Sequence, residues 1–130
     1  MYSETTESIR VTVKPIYLEE QSSPGDNHFV WAYQVQIENL GEERVQLLAR
    51  HWRITDSLGR VQEVRGAGVV GEQPVLEPGE SYEYTSGTPL ATPSGIMVGT
   101  YEMENAQGER FDVAVPAFSL DSPHQTVNLN

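Results

Sequence analysis

The chain has no cysteine, which excludes disulfides, thiolate metal sites and thiol nucleophiles. It has no run of about 18 apolar residues, the length a membrane-spanning helix needs. Its first residues, Met1 to Ser8, are polar and acidic. They lack the basic start and apolar stretch of a secretory signal, so the cytoplasm is the expected location. Basic residues are scarce: 8 against 19 acidic, for a formal net charge of −11. Nucleic acids and anionic membranes repel such a chain, so no nucleic-acid partner and no membrane insertion are expected. What remains is a soluble acidic domain. At 130 residues and 38% hydrophobic it fits a single domain, 1–130, able to bury a core without staples.

Helical periodicity is missing as well. Apolar residues recur every second position: Ile9, Val11 and Val13; Phe29, Trp31, Tyr33, Val35 and Ile37; Met97, Gly99, Tyr101 and Met103; Phe111, Val113 and Val115. That alternation marks strands with one face in a core. Around Val45 to Thr55 the parity changes, which a bulge near Leu47-Leu48 would reconcile. Trp52 and Ile54 then point inward, and His51 and Arg53 outward. Turn signals separate the runs: a loop at 22–27, hairpin-like turns at 39–43, 56–59 and 105–108, and Pro78-Gly79 at the centre of a type II turn. Seven or more short strands at this spacing predict an all-β antiparallel sandwich of two sheets, of the fibronectin type III or immunoglobulin plan, without a disulfide. The expected core is Val11, Val13, Trp31, Tyr33, Val35, Ile37, Trp52, Ile54, Met97, Tyr101, Met103, Phe111 and Val113. Residues 1–7 and 124–130 read as mobile ends.

Charge is unevenly spread. Arg44, Arg50, Arg53, Arg60 and Arg65 are five of the eight basic residues and fall within 22 positions. From 66 to 109 there is no basic residue but there are seven glutamates. The arginine-rich hairpin either pairs with acidic neighbours across the sheet or offers forked guanidinium groups to an anion or acidic partner. Arg50, His51, Arg53 and Arg60 form its candidate partner surface.

Just beyond it, Gly66-Ala67-Gly68-Val69-Val70-Gly71 spells G-x-G-x-x-G. In a dinucleotide-binding fold that motif opens a helix. Here Pro74, Pro78 and Gly79 follow and forbid one. Gly66, Gly68 and Gly71, with Arg65 beside them, are either a structural loop or a backbone nest for phosphate. The histidines, His28, His51 and His124, share no metal-ligand spacing. Asp26 with His28, or Asp121 with His124, supplies two ligands where transition metals want three or four. There is no G-x-S-x-G elbow and no singled-out pair of carboxylates. No metal site, cofactor or catalytic residue is expected, and the chain reads as a non-enzyme.

The stretch Val45-Gln46-Leu47-Leu48-Ala49-Arg50-His51-Trp52, followed in order by Gly66-Ala67-Gly68-Val69-Val70-Gly71-Glu72-Gln73-Pro74 and by 76–80, 84–87, 92–97, 99–103 and 115–118, resembles the bacterial ApaG proteins, also called CorD. The resemblance runs from about Ser8 onward. It implies a fibronectin type III-like sandwich and a role linked to cobalt resistance and magnesium efflux. The same domain occurs in eukaryotic F-box proteins and in a protein that interacts with DNA polymerase delta. That implies a protein-interaction module with a still unidentified protein partner. The family's glycine motif has also been thought of as a pyrophosphate site, so the alternative is weak binding of pyrophosphate or nucleotide polyphosphates at the loop.

Overall fold

The computed structural model describes residues 1–124. The period-two runs become nine strands: β1 (Tyr2–Thr6), β2 (Ile9–Tyr17), β3 (Phe29–Asn39), β4 (Val45–Asp56), β5 (Val61–Ala67), β6 (Val75–Leu76), β7 (Ser81–Leu90), β8 (Ser94–Asn105) and β9 (Arg110–Asp121). Helix among the described residues is confined to two 3-10 turns before β3, Glu19–Gln21 and Pro24–Asp26. One sheet has the order β1-β2-β3-β7, the other β5-β4-β8-β9 with β6 beside the start of β4. All pairings are antiparallel, and the two sheets pack face to face as the predicted sandwich.

The inward parities form one core. Trp52 stands edge-on to Tyr33, Tyr101 and Phe118, with ring centroids 5.6, 6.1 and 6.2 Å away. Trp31 is also buried, and its Nε1–H donates to the Asp121 carbonyl at 2.8 Å. Every expected core residue is buried except Phe111, which is only partly covered. It lies one residue into β9, opposite Met103 at the end of the sheet. The bulge is where the parity change put it, between Leu47 and Ala49. A second irregularity, between Met97 and Gly99 against β9, has no counterpart in the sequence reading.

Two local expectations are corrected. Residues 1–7 read as a loose end, but Tyr2–Thr6 pairs along β2. Its polar face hides the alternation. Tyr2 packs on Phe118, and its hydroxyl accepts the Ser119 N–H at 3.4 Å. The Thr6 hydroxyl accepts the Ala114 N–H at 3.2 Å, so β1 laces β9 and closes that side of the sandwich. The segment 39–43 read as a hairpin, but it carries the chain from one sheet to the other. Buried Asn39 organises it: its amide donates to the Glu43 and Leu76 carbonyls at 2.7 and 3.0 Å and its oxygen accepts the Gly41 N–H. The hairpin turns at 56–59 and 105–108 do form, with Gly59 and Gly108 at positive φ, and Gly79 takes φ 86° in its turn. The end expected to be mobile, 124–130, lies outside the described residues apart from His124. That imidazole reaches the Glu19 carboxylate at 3.2 Å and packs on Tyr17.

Tyr33, Tyr84 and Tyr101 place their hydroxyls inside the sandwich, where Tyr84 and Tyr101 hydrogen-bond each other. Burial raises the pKa of all three; the Ser86 hydroxyl and the Arg50 guanidinium partly offset this for Tyr33. A raised value in the folded state favours the protonated phenol. Its stabilisation is present below the ordinary tyrosine range and is lost as pH rises through the folded values. In an alkaline titration, the phenolate absorbance of these three tyrosines is therefore expected to appear together with loss of near-ultraviolet circular dichroism. Smooth ionisation of all three with the fold intact would contradict their burial.

Candidate functional site

The β4–β5 hairpin turns at Asp56. Its carboxylate accepts the Leu58 and Arg60 N–H groups at 2.9 and 3.0 Å and the Arg60 Nε–H at 2.7 Å. Desolvation opposes ionisation there, but the bonds from Arg60 and Leu58 outweigh it and hold the carboxyl below its ordinary range. Arg60 is thus committed to the turn and does not join the partner surface predicted for it.

The remaining arginines divide between two faces. Arg50 shares the inward parity of Trp52 and Ile54 and pairs in register with Tyr101 and Gly66. Its guanidinium lies flat on Gly66: a Cβ there would stand 2.8 to 3.0 Å from Nη1, Cζ and Nη2 alike. Nη1 donates to the Ala67 and Gly68 carbonyls at 3.1 and 2.9 Å. Arg50 therefore braces the glycine loop from the inner side of β4 and does not share the outer face of the hairpin. His51, Arg53 and Arg65 share the outer face. His51 approaches the Glu63 carboxylate at 3.6 Å. Arg53 and Arg65 make no ion pair among the described residues, and beside them Val61 and Ile96 are 50% and 54% exposed. Both apolar residues sit opposite Thr55, one on each side of β4. So the structure brings His51, Arg53 and Arg65 together and separates Arg50 and Arg60 from them.

The glycine loop crosses the β4 bulge. The Leu48 carbonyl, released from the ladder by the bulge, accepts the Gly68 N–H at 2.8 Å and the Gln73 side-chain amide at 2.9 Å. At the tip, Val69 and Glu72 exchange both backbone bonds, at 2.8 and 2.9 Å. Val70 and Gly71 between them have φ 43° and 82°. Positive φ at both central positions is the signature of a type I′ turn, and a β-branched residue rarely adopts it. A phosphate nest needs unspent N–H groups; those of Gly68, Val69 and Glu72 are already bonded within the chain. Gly66 is a strand residue, not part of the turn. A groove of about 370 Å³ next to Arg65 also carries Glu102 and Asp112, so its charge is mixed. Of the four residues assigned to a phosphate loop, Arg65 and Gly66 lie in β5 and Gly68 and Gly71 in the turn beyond it.

Among the described residues no three His, Asp or Glu side chains come together to hold a metal, and no helix is long and apolar enough to cross a membrane. Sequence reasoning missed Leu48 and Gln73 as the seat of the loop. It also left Arg50 on the outer surface, although its parity with Trp52 already placed it inside.

Comparison with known proteins agrees with this architecture. The model of the ApaG domain matches residues 19–105. Protein ApaG of Paramagnetospirillum magneticum is 73% identical over 130 residues, covering 100% of both chains. That of Rhodospirillum centenum is 70% identical over 124 residues, 95% of each. A solved structure from Bordetella pertussis superposes with a TM-score of 0.87 at 50% identity, over 90% of this chain and 95% of that one.

Proposed function

The chain belongs to the ApaG domain family, and from that premise we propose that it is a non-enzymatic, cytoplasmic protein-interaction domain whose contact surface is the outer face of the β4–β5 hairpin. One observation carries the reading: Arg53 and Arg65, unpaired among the described residues, flank exposed Val61 and Ile96 on an otherwise acidic chain. Arginine is enriched at protein interfaces, whose buried centre is more apolar than ordinary surface, whereas isolated surface charges end in ion pairs or water. The fitting partner is a protein with acidic side chains around an apolar spot. The cobalt-resistance and magnesium-efflux role implied by the family resemblance is then indirect, exerted through that partner.

The test is affinity capture with cross-linking from the native host, comparing the wild type with an Arg53→Glu, Arg65→Glu double variant. Loss of a recovered partner with the double variant, at a stability changed by less than about 1 kcal/mol, is the expected result. An unchanged set of recovered proteins would end the assignment of this face.

A further inference from the structure

The sandwich is closed on one side and open on the other. On the closed side β1 laces β9 through Thr6 and Tyr2. On the open side β7 and β5 each end their sheet. β7 pairs with β3 in unbroken register over ten positions, from Phe29↔Leu90 to Glu38↔Ser81. The Asn39 N–H donates to the Glu80 carbonyl at 3.0 Å. Bonded positions recur every second residue in an antiparallel pair. Tyr82, Tyr84, Ser86 and Thr88 therefore bond β3, and Ser81, Glu83, Thr85 and Gly87 turn their backbone groups to the free edge. Pro89 falls on this edge-facing set, where a missing N–H costs no ladder bond.

The sheet across from this edge is also uncovered. Val64 and Gly66, on the inner face of β5, are half-buried, and Gln62 is exposed. Over Gly66 lies the Arg50 guanidinium, which has no carboxylate partner among the described residues. Among the described residues the sandwich thus lacks one strand, beside β7 and opposite β5. Long, flat, unbulged edges are templates for strand addition, and proteins usually guard them.

We propose that the free edge of β7 takes up an extended segment of a partner protein, with an acidic side chain turned inward to Arg50 and basic side chains turned outward to Glu83. The charge pattern selects this occupant. Glu83 is on the outer face of β7, with Glu77 and Glu80 just before the strand, and no basic residue occurs between 66 and 109. Arg50 supplies the opposite demand on the inner side. A second copy of this chain is disfavoured, because edge-to-edge pairing would bring like-charged β7 strands and two molecules of net charge −11 together. The proposal shares with the proposed function only the interaction class; its surface is a different one.

The probe is a capped peptide, Lys-Glu-Thr-Val-Lys-Glu-Thr-Val, which puts Glu and Val on one face and Lys and Thr on the other. In the free protein the amides of Glu83, Thr85 and Gly87 should exchange with solvent much faster than those of Tyr84 and Ser86. Adding the peptide should protect them. A version with Gln at all Lys and Glu positions should bind more weakly. Thr85→Pro removes an edge-facing N–H without touching the β3 ladder and should weaken binding about tenfold or more, with the melting temperature recorded to confirm the fold. Arg53→Glu should leave peptide binding unchanged, which separates this surface from the hairpin face. Slow exchange of the edge amides in the free protein would overturn the proposal. So would absence of binding at millimolar peptide, or equal binding by Thr85→Pro.

Discussion

Trp52→Ala is expected to lower folding stability by about 3–5 kcal/mol. The indole touches three aromatic rings from three other strands. On its fourth side it fills the place where Gly99 has no side chain: a Cβ there would stand 2.5 Å from the ring. Neither the backbone at Gly99 nor the sheet opposite can close on the vacated volume, so the cavity penalty adds to the lost transfer energy. Chemical denaturation read by circular dichroism measures the loss. A decrease below about 1 kcal/mol would place Trp52 at the surface.

The second large effect is expected at Gly68. It has φ 63°, and an added Cβ would lie 2.2 Å from the Glu72 carbonyl oxygen. That oxygen accepts the Val69 N–H, so the clash cannot be relieved without opening the tip. Gly68→Ala should cost about 3 kcal/mol, strain and broken bonds together. Gly71 also has positive φ, but nothing lies within 4 Å of its Cβ position, so Gly71→Ala should cost only about 1 kcal/mol. Equal losses at the two glycines would remove the steric argument. Millimolar pyrophosphate or diadenosine polyphosphate should leave the wild-type melting temperature nearly unchanged, because the Gly68, Val69 and Glu72 N–H groups are bonded and Glu72 adds repulsion. A ligand-dependent rise abolished by Arg65→Ala would mean the loop binds phosphate after all.

Much of this fold was legible because a half-buried strand writes its orientation into parity. The alternation from Phe29 to Ile37 needs one side of the sheet buried, and the change of parity after Leu47 needs an extra residue. Where both faces are polar, as in Tyr2–Thr6, the same rule is silent. Asn39 misled for a different reason. An asparagine two residues before a glycine serves a hairpin and a crossover equally well, and only the buried carbonyls that its side chain satisfies distinguish them. The site was less legible than the fold. Clustering in sequence suggested one arginine surface, but alternate residues of a strand face opposite ways, so Arg50 and Arg53 were separated by the geometry that joined Arg53 to Arg65. A vacant edge leaves almost no mark in a single sequence, because a strand without a neighbour has the same side-chain alternation as one that has two.

The lacing of β1 to β9 also governs the order in which the molecule can assemble. Its two bonds join residues 108 and 117 positions apart, so they close nearly the full length of the chain. A ribosome releases β1 first and β9 last, and until β9 emerges β1 and β2 lack the strand they pack against. Contacts of such long sequence separation slow folding, and the waiting sheet carries unpaired backbone on β7 and an uncovered inner face. The interval between synthesis of β7 and arrival of β9 is therefore the stage at which this chain most needs a chaperone, and a truncation before Arg110 would hold it there.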